Sequence, residues 1–227
     1  MRVRINADDS NKIRSVGEIV RKGGIIVYPT DTLYGIGGDP LNPSAVSRIL
    51  EIKEREGKPM PVLVSSFAAA AELVEINGIA RVLIDAFWPG GLTIVLEGKK
   101  TIPKSLMMGK RGLGVRMPNH WLTLRIIEAC GGRLIGTSAN ISGMPAAKSL
   151  NELDSRVEAA VDAVIDGGAA PLGVPSTVVE VGPGVEGDQQ VKEIYEDVRI
   201  LREGAINAEV IRSELLKKAK GEGFAGF

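Results

Sequence analysis

The chain has 227 residues, with 28 Lys and Arg against 28 Asp and Glu, one His and one Cys. A single Cys and a single His exclude a zinc cage, a disulfide framework or a multi-histidine metal site built by this chain alone. Hydrophobic residues at 44% supply enough apolar material for a sizeable core, and zero net charge offers no bulk attraction to nucleic acid or anionic membrane, although a local cationic cleft is compatible with it.

No run approaches the roughly 20 apolar residues of a spanning helix, and the N-terminal MRVRINADDS lacks an apolar signal core. A cytoplasmic location without membrane association is expected, and the lone Cys suits a reducing compartment. Ile13, Val16, Ile19 and Val20 recur at helical spacing, and Gly23-Gly24 stops that helix before a buried-strand run at 25–28. After the turn-rich PTDTLYGIGGDPLNP, residues 44–53 read as a second helix with Val46, Ile49, Leu50 and Ile52 apolar; the polar loop EREGKP follows. Next come a short strand at 62–64, helices at 67–74 and 80–87, and a strand at 92–96 after the WPGG turn. Strand 113–115, helix 121–129, strand 134–135, helix 157–161 and strand 163–165 continue the alternation. Strands at 177–181, 191–195 and 198–201 precede a last helix at 208–218.

Interleaved helices and strands predict an α/β sheet, and the close spacing of the late strands makes it mixed. No repeat and no Pro/Ser-rich linker divides the chain. One domain over 1–206 is predicted, followed by a C-terminal helix and a frayed, glycine-rich tail over 207–227.

Several patterns carry little chemistry. The stretch from Gly182 to Gly187 matches G-x-G-x-x-G, but it lies between two strands, where a dinucleotide fingerprint opens a helix. No P-loop motif occurs. His120 lies just before a helix, near a dipole end that favours its neutral form, and its ordinary role there is packing or capping, with a general base as the alternative. Cys130 ends an apolar helix as a small buried hydrophobe. Asn140-Ile141-Ser142 is a glycosylation sequon without the secretory signal that would give it meaning.

Other residues stand where ligands of α/β sheets bind. Pro29 to Gly35, PTDTLYG, places hydroxyls and a carboxylate at a strand exit. Lys53-Glu54-Arg55 closes a helix, where cations are also ordinary dipole partners. Thr137-Ser138-Ala139-Asn140 follows a strand, Pro175-Ser176-Thr177 opens one, and Arg116 and Arg202 each end one. Each alone reads equally as a turn or an incidental surface residue. Strand ends on one sheet edge can converge on a single pocket.

At these residues the sequence resembles the YrdC-like domain of threonylcarbamoyl-adenylate synthases. PTDTLYG follows the first predicted strand, and K-x-R is Lys53-Glu54-Arg55. V-R-M-P runs from Val115 to Pro118, S-x-N is Ser138-Ala139-Asn140, P-S-T-V-V runs from Pro175 to Val179, and L-R-x-G from Leu201 to Gly204. The resemblance implies an open, twisted, mixed α/β sheet with flanking helices around a large concave, locally positive cavity. It implies formation of L-threonylcarbamoyl-adenylate and pyrophosphate from L-threonine, bicarbonate or CO2, and ATP. Lys53, Arg55, Ser138 and Asn140 correspond to the family's tetrad around the phosphates and the reacting carbamate. Thr32, Arg116 and Ser176 correspond to contacts for L-threonine, and Arg202 and Lys58 to further nucleotide contacts. Mg2+ is expected on the ATP phosphates, with no metal held by the protein itself. A separate tRNA threonylcarbamoyl transferase complex is the implied partner, and weak tRNA or double-stranded RNA binding is a further expectation.

The pattern departs from the family at four points. Glu56 replaces the usual proline after Arg55, and no histidine occurs between Pro59 and Phe67, where long relatives carry one that contacts threonine. Ala146 stands where they have a serine eight residues after the S-x-N serine. Their linker and second domain are expected to be missing here, or reduced to the terminal GEGFAGF. The alternative reading is an RNA-binding or regulatory module that keeps the cavity without the chemistry; 4% aromatics and zero net charge weaken it. A paralogue acting on another amine shares the same motifs.

Overall fold

In the computed structural model of the chain, residues 3–6, 10–54, 59–107, 109, 112–183 and 197–219 are described. The first sheet contains β1 (Val3–Asn6), β2 (Ile26–Tyr28), β3 (Gly35–Gly37), β8 (Thr137–Ser138) and β9 (Ala163–Asp166). Their order is β1-β9-β2-β3-β8, with β9 parallel to both its neighbours and the β2-β3 and β3-β8 pairs antiparallel. The second sheet contains β4 (Val62–Val64), β5 (Leu92–Glu97), β6 (Gly112–Arg116), β7 (Arg133–Ile135), β10 (Thr177–Val181) and β11 (Val198–Arg202) in the order β11-β10-β5-β6-β4-β7. It is also mixed, with β10-β5 and β6-β4 parallel and the remaining pairs antiparallel.

The expected mixed α/β architecture with flanking helices is present. What the alternation of elements did not convey is that the strands split into two sheets. The chain passes from one to the other at Gly136, between β7 and β8. Its N–H donates to Pro61 O at 2.8 Å, and a side-chain carbon there would come within 2.4 Å of Leu63 Cγ. Only glycine makes so close a crossing.

The helices start and stop for local reasons. In α1 (Ser10–Arg21) the buried positions Ile13, Val16, Gly17 and Val20 form one face. Gly23, at φ +84°, closes it, with Gly24 N–H returning to Ile19 O at 2.9 Å. Asn42 caps α2 (Pro43–Ile52) by accepting from the N–H groups of Ser44 and Ala45, with Pro43 pre-set at the first position. Ser66 caps the short α3 (Phe67–Ala71), and Asn77 caps α4 (Gly78–Phe87) by accepting from Ala80 N–H at 2.9 Å. The remaining helices are α5 (Lys104–Met107), α6 (Trp121–Ala129), α7 (Ser155–Ala160) and α8 (Ala208–Ala219).

Two apolar clusters hold these layers. One packs α1 and α6 on the first sheet through Ile13, Val16, Val20, Ile126 and Ile127 against Ile26 and Ile165. The larger one joins Val62, Ile94, Val115 and Val179 of the second sheet to Leu83 and Ile84 of α4 and to Ile211 and Leu215 of α8. Those last two lie one helical turn apart and are fully buried, each contributing about 1.5–3 kcal/mol. No helix among the described residues is long and apolar enough to cross a membrane.

Most differences from the sequence reading are short elements. β1 has only four residues, and β3 is two-thirds glycine, a composition that argues against a strand. Glycine is needed at 37 because a side-chain carbon would meet Ile135 O at 2.0 Å. The helix expected over 67–74 ends at Ala71, and Val74 instead bridges to Gly98. The strand expected at 191–195, residues 184–187 of the glycine-rich match at 182–187 and the GEGFAGF tail lie outside the described residues.

Candidate active site

Strand alternation decides which side chains face the cavity. On β5, Leu92, Ile94 and Leu96 join the core, leaving Thr93 and Val95 on the other face; on β6, Leu113 and Val115 do the same, leaving Gly112, Gly114 and Arg116. Along β10, Val179 and Val181 point to the core while Ser176 (just before the strand), Val178 and Glu180 line the cavity. The opposing wall comes from Tyr28, Thr30, Thr32, Tyr34, Gly35 and Ser138 of the first sheet and its loops. The enclosed volume is about 520 Å³, within the range of small-molecule sites.

One irregularity is needed to bring Arg202 to this face. In β11, Arg199 pairs with Glu180 and Ile200 with Val179, but the next pair is Arg202 with Val178. Leu201 is therefore an extra residue, a bulge that turns Arg202 onto the cavity side.

Arg116 and Asp31 form the polar core of the site. Both side chains are 5% exposed and bonded to each other through Arg116 Nη2 and Asp31 Oδ1. The guanidinium also donates from Nη1 to Thr32 Oγ1 at 2.8 Å and from Nε to Gly90 O at 2.8 Å. Burial pushes its pKa below the ordinary arginine value, and the Asp31 charge opposes that shift. Thr32 is itself fixed by Thr30, whose hydroxyl donates to Leu33 O at 2.6 Å and accepts from the N–H groups of Thr32 and Leu33. Asp31 Oδ2 is buried and has no hydrogen-bond partner among the described residues.

A second group centres on Ser176. Arg202 donates to its carbonyl from Nη2 at 2.7 Å and from Nε at 3.2 Å, and to its Oγ from Nη2 at 3.2 Å. Burial lowers the pKa of this guanidinium also. Arg202, expected among the nucleotide contacts, therefore stands directly on a residue expected to contact threonine.

The third group is Lys53, Ser138 and Asn140. Lys53 caps the end of α2 and is 1% exposed. Its Nζ donates to Ser138 O, to Asn140 O at 2.9 Å and to Asn140 Oδ1 at 3.3 Å, while its own carbonyl accepts from Ser142 N–H at 2.9 Å. Ser138 Oγ donates to Asn140 Oδ1 at 2.6 Å, and Asn140 Nδ2 donates to Met144 O at 2.6 Å. Of the three, only Ser138 lines the cavity; Lys53 braces the loop from below. Arg55, Glu56 and Lys58 lie outside the described residues.

Ala146 does lie on the cavity wall, and Pro59 and Pro61 line its edge. Among described residues that line the cavity, Glu180 is acidic, and it is paired with Arg199. The sequence reading missed the roles of Asp31, Thr30 and Thr93. Asp31 carried a signal, a carboxylate flanked by threonines. Thr93 carried one too, a hydroxyl inside an otherwise apolar strand.

His120 and Cys130 take the structural roles expected of them. His120 caps α6, its ring accepting from Thr123 N–H at 3.3 Å. Burial lowers its pKa from the usual 6.5, with Asp31 opposing. The folded chain therefore binds this proton less readily than the unfolded one, so the stabilising contribution is present above 6.5 and is lost progressively below it, as pH falls through the lower value of the folded state. The sole histidine makes the effect readable by NMR titration. His120→Asn, which keeps a capping acceptor, should flatten the acid side of the unfolding-midpoint profile and leave turnover nearly unchanged.

Cys130 is buried, and burial pushes its thiol up to about 12, with Arg21 pulling it down and Asp39 pushing it up. Iodoacetamide at a pH of about 8 should label the native chain far more slowly than the urea-unfolded chain, because the thiolate is the reacting form. Fast labelling of folded protein would contradict this assignment.

A buried arginine-and-hydroxyl corner lines a small-molecule cavity between the two mixed sheets of an α/β protein. A family model described as "Telomere recombination" (Sua5, YciO and YrdC) matches residues 18–204. A threonylcarbamoyl-AMP synthase of Pyrococcus abyssi is 33% identical over 199 residues, which cover 83% of this chain and 58% of the relative. One from Xanthomonas euvesicatoria is 35% identical over 167 residues, covering 72% of this chain and 89% of the relative. The crystal structure of P. abyssi Sua5 complexed with L-threonine superposes with a TM-score of 0.77 at 32% identity, covering 88% of this chain and 62% of that one. The chain belongs to the Sua5/YciO/YrdC family. It spans little more than half the length of the Pyrococcus relative.

Proposed function

We propose that this chain joins L-threonine, bicarbonate or CO2, and ATP into L-threonylcarbamoyl-adenylate and pyrophosphate, for threonylcarbamoyl-adenosine modification of tRNA. The observation that carries the reading is that Arg116 with Thr32, and Arg202 with Ser176, line one cavity whose wall continues to Ser138. Relatives named for this reaction, and a Sua5 that binds L-threonine, support it.

In this reading Thr32, Arg116 and Ser176 hold L-threonine, while Arg55 and Ser138 serve the phosphates and the carbamate, with Lys53 and Asn140 holding Ser138 in place and Lys58 and Arg202 assisting. The amine forms an N–C bond to CO2 and releases a proton, giving a carbamate. A carbamate oxygen then bonds to the α-phosphorus as the bond to pyrophosphate breaks. Negative groups meet at every stage. Fixed cations lower that repulsion and hold the reactants in line, which is catalysis by positioning and electrostatics. Arginine suits the bidentate contact to a carboxylate, and lysine acts as a compact point charge. Ser138 must turn its proton from Asn140 toward the cavity to bind a phosphate oxygen.

Mg2+ would neutralise charge on the ATP phosphates. The ion would be carried by the phosphates, where Mg2+ keeps much of its own water shell. The product would pass to a separate transferase complex.

The test is pyrophosphate release from ATP with threonine, serine or no amino acid, each with and without bicarbonate. Release that depends on both threonine and bicarbonate is expected. Release indifferent to threonine removes the substrate assignment, and salt-sensitive tRNA binding without any such release would favour the RNA-binding reading.

A further inference from the structure

Thr93 is the one hydroxyl residue on β5, is 3% exposed, and lies on the cavity face. Its Oγ1 is 2.9 Å from Ser176 Oγ, and among the described residues that is its one side-chain hydrogen bond. Ser176 Oγ also accepts from Arg202 Nη2 at 3.2 Å. A hydroxyl has one proton and two lone pairs. If Ser176 donated to Thr93, the Thr93 proton would be buried without an acceptor, an arrangement that folded proteins avoid. Thr93 is therefore the donor. Both lone pairs of Ser176 are then filled, and only its proton remains to offer a ligand.

The cavity also holds Arg116, a cation with donors and no acceptor. A guanidinium, here backed by Asp31, combined with a donor-only hydroxyl matches a carboxylate and gives an ammonium group no acceptor. We propose that Thr93 is a positioning residue: through its hydrogen bond it keeps Ser176 a donor, and so selects the carboxylate of the amino-acid substrate. The inference rests on reading this cavity as the amino-acid site. Thr93 touches no substrate in this account and acts through Ser176.

The experiment is calorimetric titration of L-threonine, and separately of ATP, into the full chain. Thr93→Val keeps the shape and removes the hydroxyl. It should weaken threonine binding about tenfold, the loss expected when a hydrogen bond to a charged group becomes misdirected, with ATP affinity unchanged. Thr93→Ser should restore threonine affinity. The double variant Thr93→Val/Ser176→Ala should bind no more weakly than Ser176→Ala alone, because both changes remove one relay. If Thr93→Val does not fold by circular dichroism, Thr93→Ala replaces it with the same expectations.

Wild-type affinity without the Thr93 hydroxyl, additive losses in the double variant, failure of Thr93→Ser to rescue, or a parallel loss of ATP affinity would each overturn the proposal. A wild-type chain that binds no L-threonine would overturn the amino-acid reading itself, which separates the two failures.

Discussion

Lys53→Met should cut threonine-dependent pyrophosphate release by about 10²-fold, the loss typical when a residue away from the reacting groups lets them shift out of position. Lys53 is almost wholly enclosed, and its ammonium gathers the carbonyls of Ser138 and Asn140 with the Asn140 amide oxygen. Methionine fills similar volume without charge or donors. The loop that sets Ser138 on the cavity wall would lose its brace, and each buried acceptor left unmet costs about 1–3 kcal/mol. Lys53→Arg should not rescue, because a planar fork cannot replace a compact ammonium in that enclosure. Steady-state assays and urea unfolding on the same preparations separate the two effects. Full turnover in a folded Lys53→Met chain would remove Lys53 from the machinery.

Asp31→Ala should lower stability by about 3–5 kcal/mol, because it leaves the charge of Arg116, whose side chain is 5% exposed, without its carboxylate partner. The measurement is the urea midpoint with its slope, so that a change in compactness is not mistaken for one in stability. Asp31→Asn should cost less, since an amide oxygen can still accept from Arg116 Nη2. The double change Asp31→Leu/Arg116→Met should recover most of the loss, as apolar replacements for buried ion pairs often do. If Asp31→Ala is no less stable than wild type, the pair is not the polar core described here. Threonine affinity should fall in Asp31→Ala, because the guanidinium that reaches Thr32 is no longer anchored on its far side.

The motifs named most of the residues that meet at the cavity because they sit where strands end, and a strand end is readable from an apolar run meeting hydroxyls or glycine. The run at 25–28 followed by Pro29 to Gly35 was such a case, as was Thr177 to Val181 after Pro175-Ser176. The division into two sheets was not readable. One of its crossings lies at Gly136, and nothing adjacent in sequence announces that Leu63, 73 positions earlier, occupies the space a side chain would need. Asp31 was visible as a carboxylate, but its partner Arg116 lies 85 positions away, on the other sheet. The balanced count of charges likewise concealed how they pair: Arg116 with Asp31 inside the cavity wall, Arg199 with Glu180 on β11 and β10, and Arg48 with Asp162 tying α2 to the start of β9.

The extra residue at Leu201 makes the length of a strand a functional quantity. Arg202 meets Ser176 by a matter of counting rather than of chemistry. Regular pairing without the bulge would set Leu201 opposite Val178 and turn Arg202 into the layer of Val179 and Ile211, whereas deleting Leu201 would remove the extra residue and leave Arg202 opposite Val178 on the cavity side. Substitutions along the outer part of this strand should therefore be tolerated where a further one-residue insertion before Arg202 is not. Natural variation at this edge is expected to appear as changes of residue type at fixed spacing.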